Sequence, residues 1–217
     1  MHTYNFFGKE IKRNKELIES IFTKLTDNVM TFGTLLLLHD LNKITNRLLI
    51  DIKPTIGDYY LLPLIFHNLT TDVYEEDSTV YNDVNKNIEL NNCNDKVNTC
   101  NFEISDTKRL DDLYETTDKN ISYLKIDSNE RELILKGAKN IILNHKPIIQ
   151  MKWIYQTFND CKNMINIIRE YNYTPLMIIG QDLFIVPTEK INDYRYLKRP
   201  LHHSVKNNRI FNWINNF

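Results

Sequence analysis

The chain has 217 residues, 42% of them hydrophobic and 25% charged, with a formal net charge of −1. That length suits one α/β domain with an extra N-terminal segment and buries a core that folds independently. The near-zero charge argues against duplex nucleic acid as a bulk electrostatic partner.

The opening stretch MHTYNFFGKEIKRNKEL becomes charged too early for a secretory signal. Leu17, Ile18, Ile21, Phe22 and Leu25 then recur at helical spacing, so residues 1–47 read as an N-terminal helical segment packing on the core. From residue 48 onward, apolar runs alternate with helical patterns. Strands are expected at 48–52, 71–75, 97–102, 121–126, 147–153, 175–180 and 182–187. Helices are expected over 57–69, 78–92, 129–143 and 155–171, the second with Ser78 as its N-cap. Gly137 lies inside a helical pattern and reads as a close-packing point. The polar patches at 91–99 and 105–120 read as surface loops, and Gly180-Gln181 as a hairpin turn. The expected architecture is α/β, a mostly parallel seven-stranded sheet with an antiparallel terminal hairpin and helices on both faces. That is the outline of the Rossmann-like methyltransferases. The segment 191–217 is a basic and aromatic tail, with Arg195, Lys198, Arg199, Lys206 and Arg209 and no acid after Asp193.

Cys93, Cys100 and Cys161 form no C-x-x-C pair, so neither a disulfide framework nor a metal site is indicated. His39, His67 and His145 are scattered and read as structural or solvent-facing. The longest apolar run, Leu35 to Leu38, is far too short to span a bilayer. A reducing, cytoplasmic setting is expected. The abundance of Asn, Ile, Lys and Tyr, beside only 5 glycines, points to an AT-rich genome, that of an AT-rich organism or a large DNA virus. In the viral case the setting is host cytoplasm or virion.

In doubly wound sheets, ligands sit beyond the carboxyl ends of the strands. Three such ends are DIKPTIG, Glu75 and the end of the fourth strand at Asp127, and the stretches around them are DIKPTIGDYYL (51–61), EEDSTVYNDVNKNIELNN (75–92), NFEISD (101–106) and YLKIDSNERELILKGAKNIILNHKPIIQ (123–150). In order and spacing they resemble the FkbM-type methyltransferases, which use S-adenosylmethionine, over about residues 48–190. The resemblance implies cofactor binding by Asp51, Gly57 and Glu75, the last through ribose hydroxyls. It implies catalytic roles for Asp127 and Glu132. Asp127 also reads simply as an acid at a helix N-terminus.

The family writes its first motif D-x-G-A-N-x-G. Here Lys53, Pro54 and Thr55 replace the glycine, alanine and asparagine. In its fourth-strand motif, K-x-D-x-E-G-x-E, Lys125, Asp127 and Glu132 are kept, while Asn129 and Glu130 replace an acid and a glycine. Lys152 stands where the family often has an acid. Lys53 adds a cation near a sulfonium, to be offset by pairing with Asp51, and Pro54 should drive residue 53 toward extended geometry. These departures gather on the cofactor edge. The first expectation is therefore a catalytically degraded relative, a scaffold or partner subunit that acts with another protein or as a homo-oligomer, its cofactor binding lost. The alternative is an active O-methyltransferase on a sugar or other small hydroxylated acceptor. A third reading, single-stranded nucleic acid on the basic tail, is opposed by the net charge.

Overall fold

The apolar runs at 47–52, 120–126, 148–152 and 182–187 form strands because their neighbours bury them on both faces. In the computed structural model, residues 2–6, 9–13, 46–54, 69–154, 158–179 and 181–194 are described. The elements are β1 (His2–Phe6), β2 (Lys9–Arg13), β3 (Arg47–Ile52), β4 (Thr70–Tyr74), α1 (Ser78–Leu90), β5 (Val97–Cys100), α2 (Leu110–Leu113) and β6 (Asn120–Ile126). There follow α3 (Arg131–Gly137), α4 (Lys139–His145), β7 (Ile148–Lys152), α5 (Phe158–Glu170), β8 (Tyr173–Ile179), β9 (Asp182–Pro187), a 3-10 turn and α6 (Ile191–Tyr194).

The main sheet has seven strands in the order β5-β4-β3-β6-β7-β9-β8. The first five are mutually parallel. β9 pairs antiparallel with both β7 and β8, which completes the expected terminal hairpin. Strand order reverses direction between β3 and β6, so the crevice at their carboxyl ends is the place for a ligand. The principal core lies on one face, where Ile50, Ile52, Leu124, Ile126 and Met151 meet Ile134 and Leu135 of α3, Ile142 of α4 and Ile165 of α5. Val84 and Ile88 of α1 are buried outside that cluster.

Four local features differ from the sequence reading. Residues 2–6 and 9–13 form an antiparallel pair of strands where only a helical segment was expected. The helix over 129–143 is broken at Ala138, with φ −113° and ψ 17°, into α3 and α4. A Cβ on Gly137 would lie 3.4 Å from Arg109 Cβ, so the glycine is a close-packing point, and α3 ends at it. The N-cap of α1 is Asp77, not Ser78; its carboxylate accepts the Thr79 and Val80 N–H groups. Within the loop expected at 105–120, the single turn of α2 is ordered; the Asp111 carboxylate accepts Asn140 and Ile141 N–H and caps α4 from a distance. The apolar stripe at 17–25, the helix expected over 57–69, Gly57, His39, His67 and the tail beyond 194 lie outside the described residues.

A glycine-poor chain must find other residues for left-handed turns. Asn46, Lys53, Asn92, Lys146 and Asn172 all have positive φ. Asn92, Lys146 and Asn172 follow α1, α4 and α5, where glycine is the usual choice. The other two flank β3: Asn46 precedes it and Lys53 ends it.

Candidate functional site

At the carboxyl edge of β3 the ladder runs one step beyond the strand. Lys53 N–H donates to Tyr74 O at 2.9 Å, and Asp127 N–H donates to Ile52 O at 3.0 Å. The chain then leaves the sheet through Lys53, whose φ is +57°. This corrects the expectation of extended geometry before Pro54. A left-handed turn of this kind favours glycine, but a lysine occupies it. From there the Lys53 side chain reaches Glu76 at 2.5 Å and Glu103 at 3.7 Å. Glu103 follows β5, so the side chain passes over the end of β4, the strand between. Partial burial works against the Lys53 ammonium, but its bond to Glu76 and the fields of Glu76, Glu103 and Glu130 raise its pKa. Thus two of the departures from the family pattern, Lys53 and Glu130, attract each other.

Asp51 does not pair with Lys53. Its partner is Lys125, directly opposite on β6, at 3.0 Å, with both side chains buried. Burial pushes the Asp51 carboxyl up, against the pull of Lys125. Burial also opposes the Lys125 charge, but Asp51, Asp127 and Asp182 together outweigh it and hold its pKa up. Gln150 on β7 stands opposite Lys125, so Asp51, Lys125 and Gln150 form one polar row across three strands. Tyr123 OH donates to Gln150 Oε1 at 2.8 Å, and Gln150 Nε2 donates to Asp182 Oδ1 at 3.1 Å. Asp182, the first residue of β9, has its carboxyl pushed up to about 6 by burial, with Gln150 and the two lysines opposing.

Glu75 lies at the end of β4, buried, and its Oε1 accepts Asp77 N–H at 2.9 Å. Burial raises its pKa against that hydrogen bond. Asp127 meets Lys152, at 3.1 Å. Glu132 faces elsewhere. It pairs with Lys136 at 2.8 Å and, with Asp106, Arg109 and Glu130, lines a groove of about 470 Å³ beside α3. Asp51, Glu75 and Asp127 thus share the strand-end edge, while Glu132 lines the flanking groove. Sequence reasoning passed over Glu103, Gln150 and Asp182. The signal for Gln150 was a polar residue inside the apolar stretch PIIQM, matching Asp51 in LLIDI and Lys125 in YLKI.

Among the described residues the three cysteines are free thiols, no group of side chains could hold a metal, and no helix is long and apolar enough to cross a membrane.

No family model and no curated protein sequence matches the chain. Solved structures do match in shape. An O-methyltransferase family protein from Burkholderia thailandensis aligns with TM-score 0.56 and 12% identity, over 76% of this chain and 56% of that one. This chain therefore spans little more than half of that protein's length. The METTL16 methyltransferase domain aligns with TM-score 0.55 and 18% identity, over 81% of this chain and 72% of that one. The human methyltransferase 10 domain containing protein aligns with TM-score 0.53 and 17% identity, over 83% and 88% of the two chains. At such identities the likeness establishes the fold, that of the Rossmann-like methyltransferases.

Proposed function

We propose that this methyltransferase-fold chain is a catalytically degraded FkbM-like relative that serves as a scaffold or partner subunit. The observation that carries the reading is the Lys53 side chain, lying over the end of β4 and tied to Glu76 and Glu103. That is the path from the first turn to Glu75, which a ribose would need. The residues present do not fit S-adenosylmethionine as they stand. The obstacle is steric more than electrostatic, since two glutamates already offset the lysine. Glu75 has one carboxylate oxygen committed to Asp77 N–H. Asp127, the expected catalytic acid, is held by Lys152, where a general base needs an open oxygen facing its substrate.

One observation favours the alternative, an active S-adenosylmethionine-dependent O-methyltransferase on a sugar or other hydroxylated acceptor. The backbone at residue 53 keeps the left-handed geometry of a cofactor turn. Thermal unfolding of the natural chain with millimolar S-adenosylmethionine separates the two. A ligand at a hundred times its Kd adds about 2.7 kcal/mol of stability. The scaffold reading expects no shift in Tm; a shift of several degrees, together with methyl transfer to a hydroxylated acceptor, would establish the enzyme.

A further inference from the structure

The exits of β3, β4 and β5 are joined by side chains as well as by the ladder. β4 lies between β3 and β5, so the ladder does not join the outer two. The Lys53 side chain does. It leaves the end of β3, meets Glu76 just beyond β4 at 2.5 Å, and reaches Glu103 beyond β5 at 3.7 Å. A second brace lies beside it. Asn101 Nδ2 donates to Glu75 O at 2.8 Å and to Glu76 O at 3.4 Å, and Ser78 Oγ donates to Asn101 Oδ1 at 3.3 Å. The exit of β5 is thereby tied to the exit of β4 and to the start of α1. Lys53 adds β3 to that group.

The backbone gives a reason to weigh the far end of this side chain. At a φ of +57° a lysine is less favoured than glycine or asparagine, and asparagine takes the left-handed turns at Asn46, Asn92 and Asn172. Either residue would serve the turn at 53 and leave β3 unlinked to β5. Lysine serves it under some strain and places a cation in the combined field of Glu76, Glu103 and Glu130. Strain of this kind persists where the surrounding contacts hold it. In doubly wound sheets the crevice beyond these exits is where a ligand lies. We propose that Lys53 is a built-in clasp, a cation that holds the exits of β3, β4 and β5 together in place of a ligand. The inference rests on the scaffold reading and deepens it, since the clasp sets the shape of this corner before anything binds.

The test uses the full chain without cofactor, so the clasp and the exclusion of S-adenosylmethionine fail separately. Amide hydrogen exchange is read by NMR at Glu75 and Asp77, whose N–H groups donate to Cys100 O and to Glu75 Oε1. Trp153, whose N–H donates to Gln181 O at the far half of the edge, is the reference. Lys53→Met keeps the side chain's reach and removes its charge. Protection at Glu75 and Asp77 should fall about fivefold, the size that two screened ion pairs supply, with Trp153 unchanged. Lys53→Arg should restore it. Salt at about 1 M should lower protection in the natural chain and leave Lys53→Met unmoved. Equal protection in the natural chain and Lys53→Met, a loss shared by Trp153, a loss that persists in Lys53→Arg, or a natural chain indifferent to salt would overturn the proposal.

Discussion

Lys53 and Lys125 stand at the carboxyl ends of neighbouring parallel strands, and their surroundings differ. Lys125 is sealed in the sheet against Asp51, both almost without exposure. Lys53 is 28% exposed and leans out over glutamates that solvent also reaches. The buried pair concentrates its energy in one contact, because removing either partner strands the other in a low-dielectric place. The outer pairs are screened and each contributes little to stability. One half of the edge is thus a structural commitment. The other is a covering whose loss costs the fold little.

That contrast breaks if the two lysines respond alike to removal. Lys125→Met should destabilise by about 3–5 kcal/mol in denaturant unfolding at pH 7, because Asp51 loses its partner. Adding Asp51→Asn should recover much of the loss. If Lys125→Met alone costs less than about 1 kcal/mol, the pair is not the anchor of this edge.

Asp182→Asn should have the next largest effect, in the opposite direction. The folded state holds the Asp182 proton up to about pH 6, against an ordinary carboxyl value of 3.8. Between those values the native state binds more protons than the unfolded one, so stability falls as pH rises through that window. Asparagine removes this dependence. The variant should gain about 2 kcal/mol over the natural chain at pH 7 and lose the advantage near pH 4. A gain of equal size at both pH values would place its cause elsewhere.

Lys53→Gly should matter least to stability. It relieves a left-handed lysine, a gain of about 1 kcal/mol, and gives up screened ion pairs and some chain stiffness worth a similar amount. The net change in unfolding free energy should stay within about 1 kcal/mol. A larger loss would mean that the covering over β4 holds the fold together.

Most strands of the main sheet were legible because they are apolar runs between turn residues, and the observed ends fall within a few residues of the expected ones. The strand pair β1 and β2 was not, since neither strand carries a strong apolar alternation. The break at Ala138 was hidden because apolar spacing continues across it. At the edge, Asp51 and Lys53 are close in sequence and looked like a pair. The true partner of Asp51 lies 74 residues away and is set by strand order, which no local pattern records. Likewise Glu76 and Glu103 meet Lys53 only because β4 and β5 lie beside β3. The turn at Lys53 was read from Pro54, whose local bias yields here to the ladder bond from Lys53 N–H to Tyr74 O.

The central claim, that the Lys53 side chain keeps the cofactor from this edge, is tested most directly by calorimetric titration of S-adenosylmethionine into two proteins. One is the natural chain; the other carries Lys53→Gly, Pro54→Ala and Thr55→Asn. No isotherm is expected with the natural chain, and at least weak binding with the variant, since Glu75 remains at the end of β4. Micromolar binding by the natural chain would contradict the claim and put the active-enzyme reading in its place.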